Sequence, residues 1–171
     1  MPITSPPRSR LACCAAAALC AVLALPSISA AETTPDIVLP QGLACAGFAL
    51  GVSSRGGNQV YREFPDRNGT VVRWLSAGKG AVLTFTNMTS LEELAVKTGG
   101  SVTHVTINPD GSQTWTSTGQ NVVILFPSDV PAGPATTLYL GKVVFRIDPE
   151  TFFTELLSQS AQQVDICAAL A

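Results

Sequence analysis

Arg62-Glu63-Phe64-Pro65-Asp66-Arg67-Asn68-Gly69-Thr70-Val71-Val72-Arg73-Trp74 is the stretch whose reading decides the fold class. Residues of alternating character flank an Asp-Arg-Asn-Gly turn, in which Gly69 takes the left-handed position that side chains with a Cβ avoid. A period of two belongs to a half-buried strand, and two such strands about a tight turn make a hairpin. The simplest register sets Phe64 against Val72, Arg62 against Trp74 and Glu63 against Arg73. Ala77-Gly78-Lys79-Gly80 reads as the next turn, setting Trp74 against Leu83 and Val72 against Phe85. One face then gathers Phe64, Val72, Trp74, Leu83 and Phe85, and the other carries Glu63, Arg73, Thr84 and Thr86.

The same pattern continues downstream. Leu91 to Thr98 could start a helix at Glu92, but so short a segment closing on Gly99-Gly100 is marginal as a helix. As a strand it sets Leu94 against Val105 and Val96 against Thr103. Asn108-Pro109-Asp110-Gly111 is the strongest turn of the chain, pairing Val105 with Trp115 and Ile107 with Gln113. Gly119-Gln120 reads as a further turn bringing Ile124 alongside Trp115. A second apolar face follows: Leu94, Val96, Val105, Ile107, Trp115, Val122, Ile124 and Phe126.

Val122 to Phe126 is apolar throughout, which predicts cover on both faces. Pro127 to Pro134 reads as a crossing loop. The strand from Thr136 to Asp148 changes phase at Gly141, where a bulge would restore one inward face. Phe152 to Leu157 is a last strand or a short helix, and residues 158–163 are a loop. These features predict an all-β, antiparallel β-sandwich of roughly eight to ten strands, built from consecutive hairpins.

Residues 1–31 read as a signal peptide. Arg8 and Arg10 precede an apolar run from Leu11 to Leu25, shorter than the ~20 residues of a membrane span, and Ser29-Ala30-Ala31 suits a cleavage site. Residues 32–171 are then a single exported domain, with no membrane span after cleavage and an extracellular location. Cys13, Cys14 and Cys20 leave with the signal, so Cys45 and Cys167 remain as the expected disulfide. It would close a loop of more than a hundred residues, worth ~5 kcal/mol in the chain-entropy model.

Cleavage leaves eight of the ten basic residues against all twelve acidic ones, a net charge of −4. With no basic cluster, nucleic acid and anionic membrane surfaces are not expected partners. Asn68-Gly69-Thr70 and Asn87-Met88-Thr89 match a glycosylation pattern but read as turns ending in Thr.

The chemistry-bearing residues are few. His104 is the only histidine, so neither a Ser-His-Asp triad nor the usual zinc ligand set can be completed, and no cofactor is expected. In the register above His104 and Thr106 face Thr116 and Thr114, with Thr118 beside them. This flat array of hydroxyls and methyls is the candidate binding surface. Two-carboxylate hydrolysis needs only two suitably spaced acids, for which Glu63, Asp66, Asp148, Glu150 and Glu155 qualify by type. Glu63 reads as the partner of Arg73, and Asp66 as a turn former.

Arg62-Glu63-Phe64 with Asp66-Arg67-Asn68-Gly69, Ala77-Gly78-Lys79-Gly80 before Leu83-Thr84-Phe85-Thr86-Asn87, and Asn108-Pro109-Asp110-Gly111 carry a resemblance. Phe126-Pro127-Ser128-Asp129-Val130-Pro131-Ala132-Gly133-Pro134 and Asp165-Ile166-Cys167-Ala168-Ala169-Leu170 complete it. The chain resembles uncharacterised secreted proteins of actinobacteria, which implies a one-domain secreted β protein and carries no catalytic residues. The expected function is a monomeric binding module meeting a protein or carbohydrate at the cell envelope. A small hydrolase with paired carboxylates is the alternative, and an inhibitor presenting the Asn108–Gly111 loop is the third.

Overall fold

A computed structural model describes residues 34–171. The signal segment at 1–31, with Cys13, Cys14 and Cys20, lies outside the described residues. The strands are β1 (Ile37–Leu39), β2 (Leu50–Arg55), β3 (Asn58–Pro65), β4 (Val71–Lys79), β5 (Val82–Asn87) and β6 (Glu93–Lys97). β7 (Val102–Ile107), β8 (Gln113–Thr118), β9 (Gln120–Leu125), β10 (Ala135–Ile147) and β11 (Thr154–Asp165) follow, then the helical turn α1 (Ile166–Ala169). A small sheet runs β1-β2-β5-β6, and a large one β11-β10-β8-β7-β4-β3 with β9 also on β10. The protein is an antiparallel β-sandwich with one disulfide, one strand richer than the upper expectation.

Successive hairpins alternate between the sheets: β1–β2 and β5–β6 in the small one, β3–β4 and β7–β8 in the large one. The joints are Gly56-Gly57, Gly80-Ala81 and Gly99-Gly100, so the latter two are crossings rather than turns. At Gly80 the crossing chain presses on Thr98, whose N–H and hydroxyl both donate to the Ala81 carbonyl (3.0 and 2.8 Å). Leu83 therefore pairs with Val96 and Phe85 with Leu94, not with Trp74 and Val72. Likewise Leu94 and Val96 do not face Val105 and Thr103. Crossing wins because it buries Phe85 and Val96 with Leu50, against Val122, Ile124 and Leu138 of the large sheet, Ile166 of α1 and Leu170 that caps it.

The β3–β4 register is also shifted. Asp66 closes its turn through Thr70, but Pro65, having no N–H to donate, sits at a bulge. Pro65 pairs with Val71, whereas Phe64 pairs with Arg73 and Glu63 with Trp74. One extra residue thus moves Phe64 to the opposite face from Trp74 and separates Glu63 from its expected partner.

Gly119 is a kink and not a hairpin turn. β8 and β9 lie end to end along β10, pairing with Val143–Ile147 and with Ala135–Leu140 respectively. Ile124 is consequently not alongside Trp115. Gly119 has φ +88°, its carbonyl accepts the Gly141 N–H at 2.8 Å, and a Cβ there would strike the Gly100 backbone. Beyond the kink both faces are covered, as the apolar run predicts. Val122, Ile124 and Leu138 serve the first core, and Val123, Leu125 and Tyr139 join Val143 and Phe145 in a second. The phase change in β10 therefore feeds two cores, and its bulge with β11 falls between Val144 and Phe145 rather than at Gly141.

Residues 158–163 are strand, not loop, because the long β10 offers them a continuous ladder. The crossing loop 127–134 is pinned by buried Asp129, whose carboxylate accepts the Phe126 and Thr154 N–H groups at 2.6 and 2.8 Å. Cys45, between β1 and β2, is bonded to Cys167 in α1, with Cα atoms 5.6 Å apart and a sequence separation of 122. A strand precedes Cys45, so the bridge joins the small sheet's loop to the helix that ends the large sheet. Around it Asn87 donates to the Leu170 carbonyl at 2.8 Å and Thr136 to that of Ala44 at 3.0 Å. Asn87 is buried; its glycosylation motif is a structural turn.

Candidate functional site

Trp74, Val105, Trp115 and Phe145 occupy one cross-strand row through β4, β7, β8 and β10, and in-register neighbours share a face. Val105 is small and buried, so the flanking side chains close over it. The Trp74 and Trp115 rings meet edge to face at 4.9 Å, and Phe145 stacks on Trp115 at 5.8 Å. On edge strand β3 the in-register neighbour of Trp74 is Glu63, and Tyr61, two residues along on the same face, places its ring 6.0 Å from Trp74. These four rings line one side of a cleft of about 280 Å³.

The cleft's remaining wall combines the aliphatic Leu83, Val122 and Val123 with an organised set of polar side chains. Gln59 accepts from the Ser76 and Tyr61 hydroxyls at 3.2 and 3.1 Å. Thr103 and Ser117 share a hydrogen bond of 2.9 Å, and Ser101 donates to Asn121. Gln120 completes this edge. Of all the lining side chains only Tyr61 is ionisable, so the cleft offers rings, hydroxyls and amides but no carboxylate or imidazole. Its size falls just below the ~300–1,000 Å³ of drug-sized pockets. An inward position for Trp74 and Trp115 follows from the sequence; their access to solvent does not, because it depends on how far the small sheet reaches.

The threonine array assembles on the opposite face with the expected pairs, Thr106 with Thr114, His104 with Thr116 and Val102 with Thr118. His104, Thr106 and Thr118 are exposed, and Thr114 and Thr116 half-buried. Reasoning from the sequence missed the neighbours that the β3–β4 shift delivers here, Phe64 and Arg73, with Arg62 beside them. The bulge-forming Pro65 was the available signal.

Three of the five candidate carboxylates are engaged elsewhere, while Glu63 lies opposite Trp74 across the β3–β4 ladder and Glu150 is exposed in the turn before β11. Asp66 accepts the Asn68 and Thr70 N–H groups, and Glu155 pairs with Arg146. Hydrogen bonds from the Thr151 and Glu150 amides hold the Asp148 carboxyl below its ordinary range. The Ser112 hydroxyl and amide do the same for Asp110. A glycosidase's acid needs the reverse shift. The Asn108–Gly111 loop is a tight turn whose side chains bond Ser112 and Thr114, not the extended segment that a protease cleft takes up as a strand. Among the described residues no cluster of three or more His, Cys, Asp or Glu could hold a metal ion. Nor is any helix there long and apolar enough to cross a membrane.

The fold and site thus define an antiparallel β-sandwich with an uncharged, aromatic-walled cleft. No protein-family model, curated protein or solved structure matches the chain.

Proposed function

We propose that this chain is a secreted or envelope-associated binding module that holds a neutral saccharide segment in the aromatic cleft. One observation carries the reading: four aromatic rings face hydroxyl and amide side chains with no charged lining group. Ring faces suit the C–H faces of a pyranose, while amides and hydroxyls can exchange hydrogen bonds with its hydroxyls. Export is supported by the signal pattern at 1–31 and by the disulfide, which persists in oxidising compartments. The resemblance to secreted actinobacterial proteins points the same way.

Both tryptophans of the chain line the cleft, so intrinsic fluorescence reports its occupancy. Titration with cello-, xylo-, manno- and chito-oligosaccharides should shift emission for at least one series, in a saturable manner. A flat response to every series at millimolar concentration, with the protein folded, sinks the reading.

A further inference from the structure

We propose that the outer face of the β3–β4–β7 strands is an oxyanion subsite for an acidic polysaccharide, a claim that rests on the saccharide reading of the cleft. The Arg62 and Arg73 guanidinium carbons lie 5.2 and 4.6 Å from the centroid of one ring, Phe64. Neither arginine pairs with a carboxylate: the ion pairs among the described residues are Arg55–Asp36 and Arg146–Glu155. A groove of about 200 Å³ runs beside them, lined by Phe64, Arg73, Leu75, His104 and Thr106.

Two like charges gathered on one ring repel each other, and an anion between them relieves that cost. Guanidinium groups suit this task because their planar N–H forks match carboxylate or sulfate oxygens, and the Phe64 ring pre-orients both. His104 and Thr106 add N–H and O–H donors. The registers place no Asp or Glu on this face of β3, β4, β7 or β8, although the chain as a whole is acidic. Glu63 points to the other face, with Trp74.

The polysaccharide assignment comes from edge strand β3. Its period of two puts Tyr61 on the cleft side, and Arg62 with Phe64 on the groove side. A polymer crossing this free edge meets the rings with one residue and the guanidinium groups with another.

Polygalacturonate, dextran sulfate and neutral dextran of matched length, titrated calorimetrically at low and physiological salt, test the subsite. An acidic polymer should bind at least ~10-fold more tightly than dextran, and salt should erode the preference. Preference for polygalacturonate assigns a carboxylate ligand, and for dextran sulfate a sulfate ester. Arg62→Gln with Arg73→Gln should abolish the preference yet leave the tryptophan response to neutral oligosaccharides intact. Arg73→Lys, which keeps the charge but not the fork, should fall between. Equal affinity for acidic and neutral polymers, or a preference that survives the double substitution, overturns the subsite. A preference lost with the arginines beside a flat neutral-sugar response overturns the cleft reading alone.

Discussion

Trp74 and Trp115 touch edge to face, ring centroids 4.9 Å apart, although β7 runs between their strands. Strands two positions apart in a sheet are ~9–10 Å apart at the backbone, so the indoles must lean together over Val105. That contact makes the floor of the cleft a continuous aromatic surface.

Its removal separates binding from folding. Trp74 is half-buried on the cleft wall, whereas Trp115 also packs on the second core. Trp74→Ala should weaken oligosaccharide binding about tenfold or more and cost ~1–2 kcal/mol of stability. Trp115→Ala should cost ~3 kcal/mol or more. Denaturant melts and titrations of each variant check this; unchanged binding by Trp74→Ala would contradict the cleft assignment.

The disulfide ties the loop before β2 to the helix after β11, across the two sheets. Replacing Cys45 and Cys167 together by Ala should cost ~2–5 kcal/mol, read as a melting temperature lower by roughly 10 °C or more. Thermal melts of the oxidised protein and the double variant give the comparison. Equal melting temperatures would show that the sheets hold together without the bridge.

Gly119 and Gly99 make a matched test of the kink. A Cβ at Gly119 strikes the Gly100 backbone and φ is +88°, whereas one at Gly99 meets nothing within 4 Å. Gly119→Ala should therefore destabilise by ~2 kcal/mol or more, while Gly99→Ala stays within ~0.5 kcal/mol of the parent or gains slightly. Chemical denaturation reads both, and similar values would refute the end-to-end placement of β8 and β9.

Acid should destabilise the fold through exposed turn carboxylates. The Ser54 amide lowers the Asp36 pKa, the Ser112 hydroxyl that of Asp110, and the Thr151 amide that of Asp148, all from 3.8. A folded-state pKa below the unfolded one contributes stability above the unfolded value, lost as pH falls through the folded value. Melting temperature should hold level from neutral to about pH 4 and decline below it. Asp148→Ala should lower the neutral plateau and flatten part of that decline. A melting temperature at pH 2.5 equal to that at pH 6 would exclude this linkage.

Local chemistry made several features legible in advance. Asn108-Pro109-Asp110-Gly111 is a turn with one favoured geometry, so the β7–β8 register and its threonine face follow from it. The unbroken run Val122 to Phe126 announces burial on both sides, and two cysteines surviving an expected cleavage announce their bond. These readings depend on residues near one another in sequence, or on simple elimination.

Other features were decided only by the tertiary structure. Gly80 and Gly99-Gly100 suit a turn or a crossing equally well, and only burial of Phe85 and Val96 on the far sheet chooses crossing. Phe64 exchanged faces because Pro65 could not extend the ladder, and a period of two turns a one-residue slip into a complete inversion. The cleft joins Tyr61, Trp74, Trp115 and Phe145 from four strands, which no local pattern can bring together. The sequence alone determined a disulfide-bonded antiparallel β protein. Long-range packing decided which hairpin covers which, and so where its rings and arginines meet solvent.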